Sequence, residues 1–317
     1  MNKISFKINK YFYLAIIIML IIIFISFFNY SKEHFNGIFE HNKILENCET
    51  IETDYYYCKW FYNNEALEMY KQKDINRGLE NYLKMDAITL FSEIIQHERF
   101  SMLQFISPLI IMIAIIGIVH NEINTGYVKN ILLRKKYKDY IVNIVKKCSK
   151  VALIMPLSIL FVFVVSCLIT RFNFNVDDFV KMTAVYDKFK YNNFFLYIII
   201  IMFIQFLVSF VYSILGVISA LKNKNTLVAI LLGYVYFLVL SIVLYLGVYV
   251  IIINKLLGFT NLTEYFSITG YWFFDSNINL FAIIMISFIL FILSLIFLYF
   301  KTKDKEKVII NVEKQNS

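Results

Sequence analysis

"FFLYIIIIMFIQFLVSFVYSILGVISA" occupies residues 194–220 and contains no Asp, Glu, Lys, Arg or His. About 20 apolar residues carry a helix across a bilayer, at about 1.5 Å each against a hydrocarbon core of about 30 Å. Five further runs of similar length are equally free of ionisable side chains: 11–28, 102–119, 151–170, 226–253 and 280–300. Lipid offers the backbone no hydrogen-bond partners, so such runs must satisfy themselves as helices. The 317 residues are 59% hydrophobic, with two prolines and nine glycines, and mean hydropathy is +0.65. The chain therefore reads as an all-α polytopic membrane protein with six spans. The 18% of aromatic residues accompanies a richness in Ile, Lys and Asn, and reads as coding bias rather than an aromatic-lined site.

The first run follows Lys3, Lys7 and Lys10, as a secretory signal would. It is longer than the roughly 7–15 residues of a signal core, and no small-x-small cleavage site follows at "SFFNYSKEH". It reads as a membrane anchor.

Six spans place both termini on one side. On that side the loops and tails carry 18 Lys and Arg; the other side holds 13, of which 8 fall in 31–101. The positive-inside rule discounts loops beyond about 60 residues, leaving 18 against 5. The N- and C-termini are thus expected in the cytoplasm. The expected organisation is a tail and first span over 1–30, an extracytoplasmic helical domain over 31–101, the second span over 102–119, a cytoplasmic segment over 120–150, spans three to six over 151–300, and a cytoplasmic tail over 301–317. The net charge of +8 then sits on the cytoplasmic face, because 31–101 holds 13 acids against 8 bases. Basic residues near a membrane surface are each drawn to anionic lipid by about 1 kcal/mol. No basic soluble module is present, so nucleic acid is not an expected partner.

Within 31–101, "DINRGLENYL" and "DAITLFSEIIQ" carry apolar residues at helical spacing, including Ala87, Phe91, Ile94 and Ile95. The last of these helices is expected to lead into the second span. Cys48 and Cys58 lie close together in this loop, which in an oxidising compartment favours a disulfide between them. Cys148 and Cys167 belong to the third span and its cytoplasmic start, so the four cysteines form no zinc pattern. His34, His41 and His97 lack metal-ligand spacing and read as solvated surface residues. No metal or other cofactor is expected.

The spans also lack what other functions need. Ion-coupled transporters place ionisable groups inside the membrane, and none of the six runs has one. No catalytic constellation is visible, and the chain is not expected to be an enzyme. G-x-x-x-x-G-K-[ST] is absent, so the chain has no P-loop for ATP. Gln205, Ser209, Ser213 and Gly216 recur at spacings of three or four in the fourth span, a stripe suited to close helix packing or to a translocation surface. Pro108 and Pro156 can kink spans two and three.

"HNEINTGYVKNILLRKK" (120–136) follows the second span. Glu122 lies at the negative end of that helix, where a carboxylate is disfavoured by up to about 1 kcal/mol without a partner. Gly126 can end the helix with positive φ. Val128, Ile131 and Leu132 then share a face, with Lys129, Arg134, Lys135 and Lys136 around the polar side. Tyr137, Tyr140, Ile141, Ile144 and Val145 continue the amphipathic pattern into the third span. A short interfacial helix is the physical reading.

"PLIIMIA" (108–114) followed by "NEINTGYVKNILLRKKYKDYI" (121–141) resembles the ABC-2 type permeases of low-GC bacteria. In that family an acid and a glycine open a short cytoplasmic coupling helix between spans two and three; Glu122, Gly126, Lys129, Leu132 and Arg134 occupy the matching positions. The six spans, and the short basic turn in "SALKNKNTLVAI" (219–230), agree with it. The resemblance implies a multi-pass protein of the bacterial plasma membrane that pairs as a homodimer or heterodimer and binds a separate cytoplasmic ATPase. ATP would then drive export of an antimicrobial peptide, drug or lipid-like substrate, and Glu122 would form an ion pair with a base of its own cytoplasmic segment or of the ATPase. The rival reading is a membrane sensor or scaffold whose outer loop detects a ligand.

Overall fold

The computed structural model describes residues 10–50, 86–125, 137–176, 188–257, 266 and 280–303, with backbone alone for 34–50, 98, 99, 101 and 104. Among these residues the chain is helical, without a strand. The principal helices are α1 (Lys10–Thr50), α2 (Ala87–Gln96), α3 (Glu98–Asn124), α4 (Tyr137–Ala152), α5 (Ile154–Ile169), α6 (Phe194–Ala220), α7 (Thr226–Ile242) and α8 (Leu280–Thr302). A short helix, Lys188–Asn192, precedes α6, and α7 runs straight on into a π-helical stretch, Val243–Leu256. Six apolar stretches are long enough to cross a membrane: Lys10–Glu33, Phe105–Asn124, Tyr137–Ile169, Phe194–Ala220, Thr226–Leu256 and Leu280–Thr302. The protein is multi-pass and all-α.

α6 occupies the centre. It carries no charge; its second half is buried almost all round, while Phe195, Leu196, Ile199 and Phe203 of its first half remain exposed, and it packs against α3, α4, α5, α7 and α8. Gln205, Ser209, Ser213 and Gly216 are all buried, so the small-residue stripe lies inside this chain's own bundle. The Ser213 hydroxyl donates to the Ser209 carbonyl at 3.0 Å. A Cβ on Gly216 would stand 2.6 Å from Ile115 Cγ2 on α3; the bare glycine lets the two helices meet. On the far side of α3, the Tyr11 ring of α1 lies against Gly117 in the same manner.

The outer helices differ. Phe24 on α1 is 72% exposed, Leu231 on α7 64% and Phe281 on α8 68%. In water such apolar faces would be aggregation liabilities; in a bilayer they meet lipid.

Proline decides one break. Pro156 has no N–H, and its ring excludes the carbonyl four residues earlier, that of Ala152, where α4 ends. Regular bonding resumes with the Leu157 N–H to the Leu153 carbonyl at 3.0 Å. Pro108, by contrast, sits inside a continuous α3.

Two elements reach into 31–101, of which residues 51–85 lie outside the described ones. α1 continues unbroken to Thr50, since 29–50 contains no proline and a single glycine. α2 joins the bundle core, with eight of its ten residues buried. Phe91 meets Phe163 of α5 and Phe194 of α6 edge-on, at 6.0 and 5.5 Å between centroids. The reason is composition: "AITLF" and "II" leave α2 too apolar to lie on a wet surface. Asp86 caps it by accepting from the Ile88 and Thr89 N–H groups at 2.9 and 2.8 Å.

The Ala87 N–H donates to the Asn173 carbonyl at 2.7 Å. That carbonyl is presented by a turn in which Arg171 and Phe172 both adopt positive φ, 53° and 59°. A left-handed backbone costs an L-residue about 1–2 kcal/mol, so Arg171→Gly should raise stability by about 1 kcal/mol. Gly216→Val should lower it by about 1–3 kcal/mol through overpacking against Ile115. Thermal unfolding in detergent, followed by circular dichroism, reads both.

Candidate functional site

One end of the bundle collects polar side chains from five helices. α4 begins there as an amphipathic helix: Tyr140, Ile144, Lys147, Cys148 and Val151 are buried, while Lys138, Asp139, Lys146 and Lys150 are exposed. Its apolar stripe faces α6, so α4 is covered by protein on that side rather than lying in the headgroup region alone.

Lys147 stands on this buried stripe, between Ile144 and Cys148. An ammonium there is costly unless paired. Its partner is Glu122, near the end of α3: Lys147 Nζ donates to Glu122 Oε2. The pairing answers two problems at once, a lysine on an apolar stripe and a carboxylate at the negative end of a helix. Both side chains are largely enclosed, at 9% exposure for Lys147 and 19% for Glu122.

His120, one half-turn earlier on α3, is 3% exposed. Its Nε2 lies 3.1 Å from the Ala220 carbonyl at the end of α6, and its Nδ1 lies 2.9 Å from Thr226 Oγ1 at the start of α7. A carbonyl only accepts, so Nε2 carries the proton; in the neutral ring the Thr226 hydroxyl then donates to Nδ1. The α6–α7 turn is tied independently, by the Ser219 hydroxyl donating to the Ala229 carbonyl at 2.6 Å and by Asn225 accepting from the Leu227 N–H at 2.9 Å. The Tyr137 hydroxyl donates to the Thr302 carbonyl, joining α4 to the end of α8.

The opposite end has its own ties. Tyr30 of α1 donates to the Glu93 carboxylate on α2. His97, at the α2–α3 junction, meets Glu33 Oε2 at 2.8 Å and the Tyr30 ring edge-on at 5.9 Å. His97 is 12% exposed, which corrects its reading as a solvated residue: the turn between α2 and α3 folds it against α1. His34 and His41 have no described side chains.

Of the five candidate coupling residues, only Glu122 lies among the described residues, and there it is joined to a charged partner, Lys147. Gly126, Lys129, Leu132 and Arg134 lie outside the described residues, as does Cys58; Cys48 lies on α1, but its side chain is outside them too. Cys148 and Cys167 are free and buried. Among the described residues no three His, Cys, Asp or Glu side chains group as a metal site. Lys147 and His120 were missed. The signal for Lys147 was its spacing, seven residues after Tyr140 and three after Ile144, which puts a charge on an apolar stripe. Nothing local marked His120, whose partners lie 100 and 106 residues away.

Breaking the enclosed pair from one side should cost about 3 kcal/mol, because the remaining charge is left without its partner. Glu122→Gln and Lys147→Met should therefore each lower the melting temperature in nanodiscs. The double variant should be closer to wild type than Lys147→Met alone, because it leaves no unpaired charge. Glu33→Gln should cost about 0.5 kcal/mol or less, since Glu33 is mostly exposed.

The comparisons with known proteins add the family. A family model described as "Protein of unknown function (DUF2705)" matches residues 74–305, which takes in α2 to α8 and leaves out α1. Neither the curated proteins nor the solved structures produced a match. With well over half of the chain matched, this protein belongs to the DUF2705 family.

Proposed function

We propose that this chain is the membrane-spanning subunit of a two-component ABC exporter of the bacterial plasma membrane. A separate cytoplasmic ATPase drives it, and the subunits pair within the membrane as a homodimer or heterodimer. The observation that carries this reading is the order acid, glycine, basic-amphipathic segment in 120–136, placed directly after an uncharged span. The ion pair between Glu122 and Lys147 supports it, because it anchors the start of that segment to the next helix. A segment that receives force needs a stiff base. The absence of a P-loop from the sequence and of ionisable residues from the six apolar runs leaves an external ATPase as the energy source. The exported cargo is an antimicrobial peptide, drug or lipid-like molecule, in keeping with six apolar spans and no charged path through them.

The roles follow the same reading. In this reading Lys129, Leu132 and Arg134 contact the ATPase, and Glu122, through Lys147, holds the end of α3 from which their segment departs. The cytoplasmic side is the one with the excess of Lys and Arg, where anionic lipid adds to the hold.

Capture of the tagged protein from membranes of its native host tests the reading. A co-purifying polypeptide with Walker motifs that hydrolyses ATP is expected. Lys129→Glu with Arg134→Glu should abolish its capture, whereas Lys303→Glu should leave it intact. Recovery of a histidine kinase and no ATPase would replace the exporter with a membrane sensor; equal capture of the ATPase by both variants would overturn the role given to Lys129 and Arg134.

A further inference from the structure

We propose that His120 is a positioning residue that transmits displacement of the α3 exit to the α6–α7 hairpin. The proposal rests on the geometry of one enclosed imidazole. Its two nitrogens engage two different helices, the Ala220 carbonyl of α6 at 3.1 Å and the Thr226 hydroxyl of α7 at 2.9 Å. His120 itself is two residues before Glu122, whose carboxylate is fixed to Lys147 on α4. Three helices, α4, α6 and α7, are thus tied to α3 at two positions only two residues apart.

Each link has a reason to be stiff. Carbonyls in the last turn of a helix need donors from outside it, and the His120 N–H supplies one to Ala220. Thr226 is the first residue of α7, directly after the Asn225 cap, so holding its hydroxyl sets where α7 begins. The ring is 3% exposed, and water is not at hand to replace either bond. The hairpin is rigid in its own right through the bond between Ser219 and Ala229. It therefore moves as a unit when one of its ends is pulled.

A competing route exists lower down, where a Cβ on Gly233 of α7 would stand 3.0 Å from Met112 Sδ of α3. That contact is apolar packing, which slides; the imidazole bonds do not. Hydrogen-bond networks between rigid helices are among the routes by which coupling travels between sites.

The role as an energy relay rests on the exporter reading above. The coupling itself is measurable without an ATPase, so the two can fail separately. Amide hydrogen exchange of the full chain in nanodiscs reads it. Glu122→Gln, which loosens the α3 exit, should speed exchange several-fold across 221–229. The same substitution in a His120→Leu background should add no further change there. His120→Gln, whose amide can donate to Ala220 and accept from Thr226, should restore the response. Thr226→Val, a mild change that keeps the histidine, should weaken it and by reciprocity should loosen 144–148 on α4. Unchanged exchange in 221–229 on Glu122→Gln would overturn the proposal. So would a response that persists undiminished in both His120→Leu and Thr226→Val, which would assign the coupling to packing at Gly233.

Discussion

Enclosure of α6 by five other helices is the constraint on which the rest of the bundle depends. Lipid tails are as apolar as leucine, so burial in a membrane is not driven by escape from water; close packing and polar ties must hold the helices together. α6 meets this with small and hydroxylated residues turned inward, Ser209, Ser213 and Gly216 among them, and with aromatic contacts such as Phe210 against Phe291 at 4.7 Å. α3 reaches α6 at Gly216 and α1 at Gly117, so two bare glycines set the spacing of three helices. α1, α7 and α8 then surround this core and turn their apolar outer faces to lipid.

Among the described residues the ion pairs sit at the two ends of this bundle. At one end an ion pair and a histidine join α3 to α4, α6 and α7; at the other, Tyr30 and Glu33 join α1 to the α2–α3 junction. The difference in enclosure gives these ends different characters. Glu122 and Lys147 are shielded, so their attraction is little screened, whereas Glu33 is 63% exposed and contributes little to stability. Stiffness therefore concentrates where the 126–136 segment departs, which is where the proposed function needs it.

The legible part of the fold was the part written in runs. The apolar stretch 194–220 coincides with α6, and the helical spacing of Ala87, Phe91, Ile94 and Ile95 marks α2. The depth of α2 was not legible, because a ten-residue apolar helix looks the same whether it caps a loop domain or enters a core. His97 illustrates the same gap: its neighbours in sequence are polar, and its partner Glu33 is 64 residues away.

Composition and period are local quantities, and they were enough to establish six uncharged spans, the absence of a P-loop and an amphipathic α4. Glu122 could be recognised as a carboxylate in want of a cation from its place at a helix end. Which cation, and which helices meet at His120, depended on how α3, α4, α6 and α7 pack. Those distances are set by Gly216, Gly117 and the break at Pro156 acting together across the bundle, and no stretch of sequence contains them.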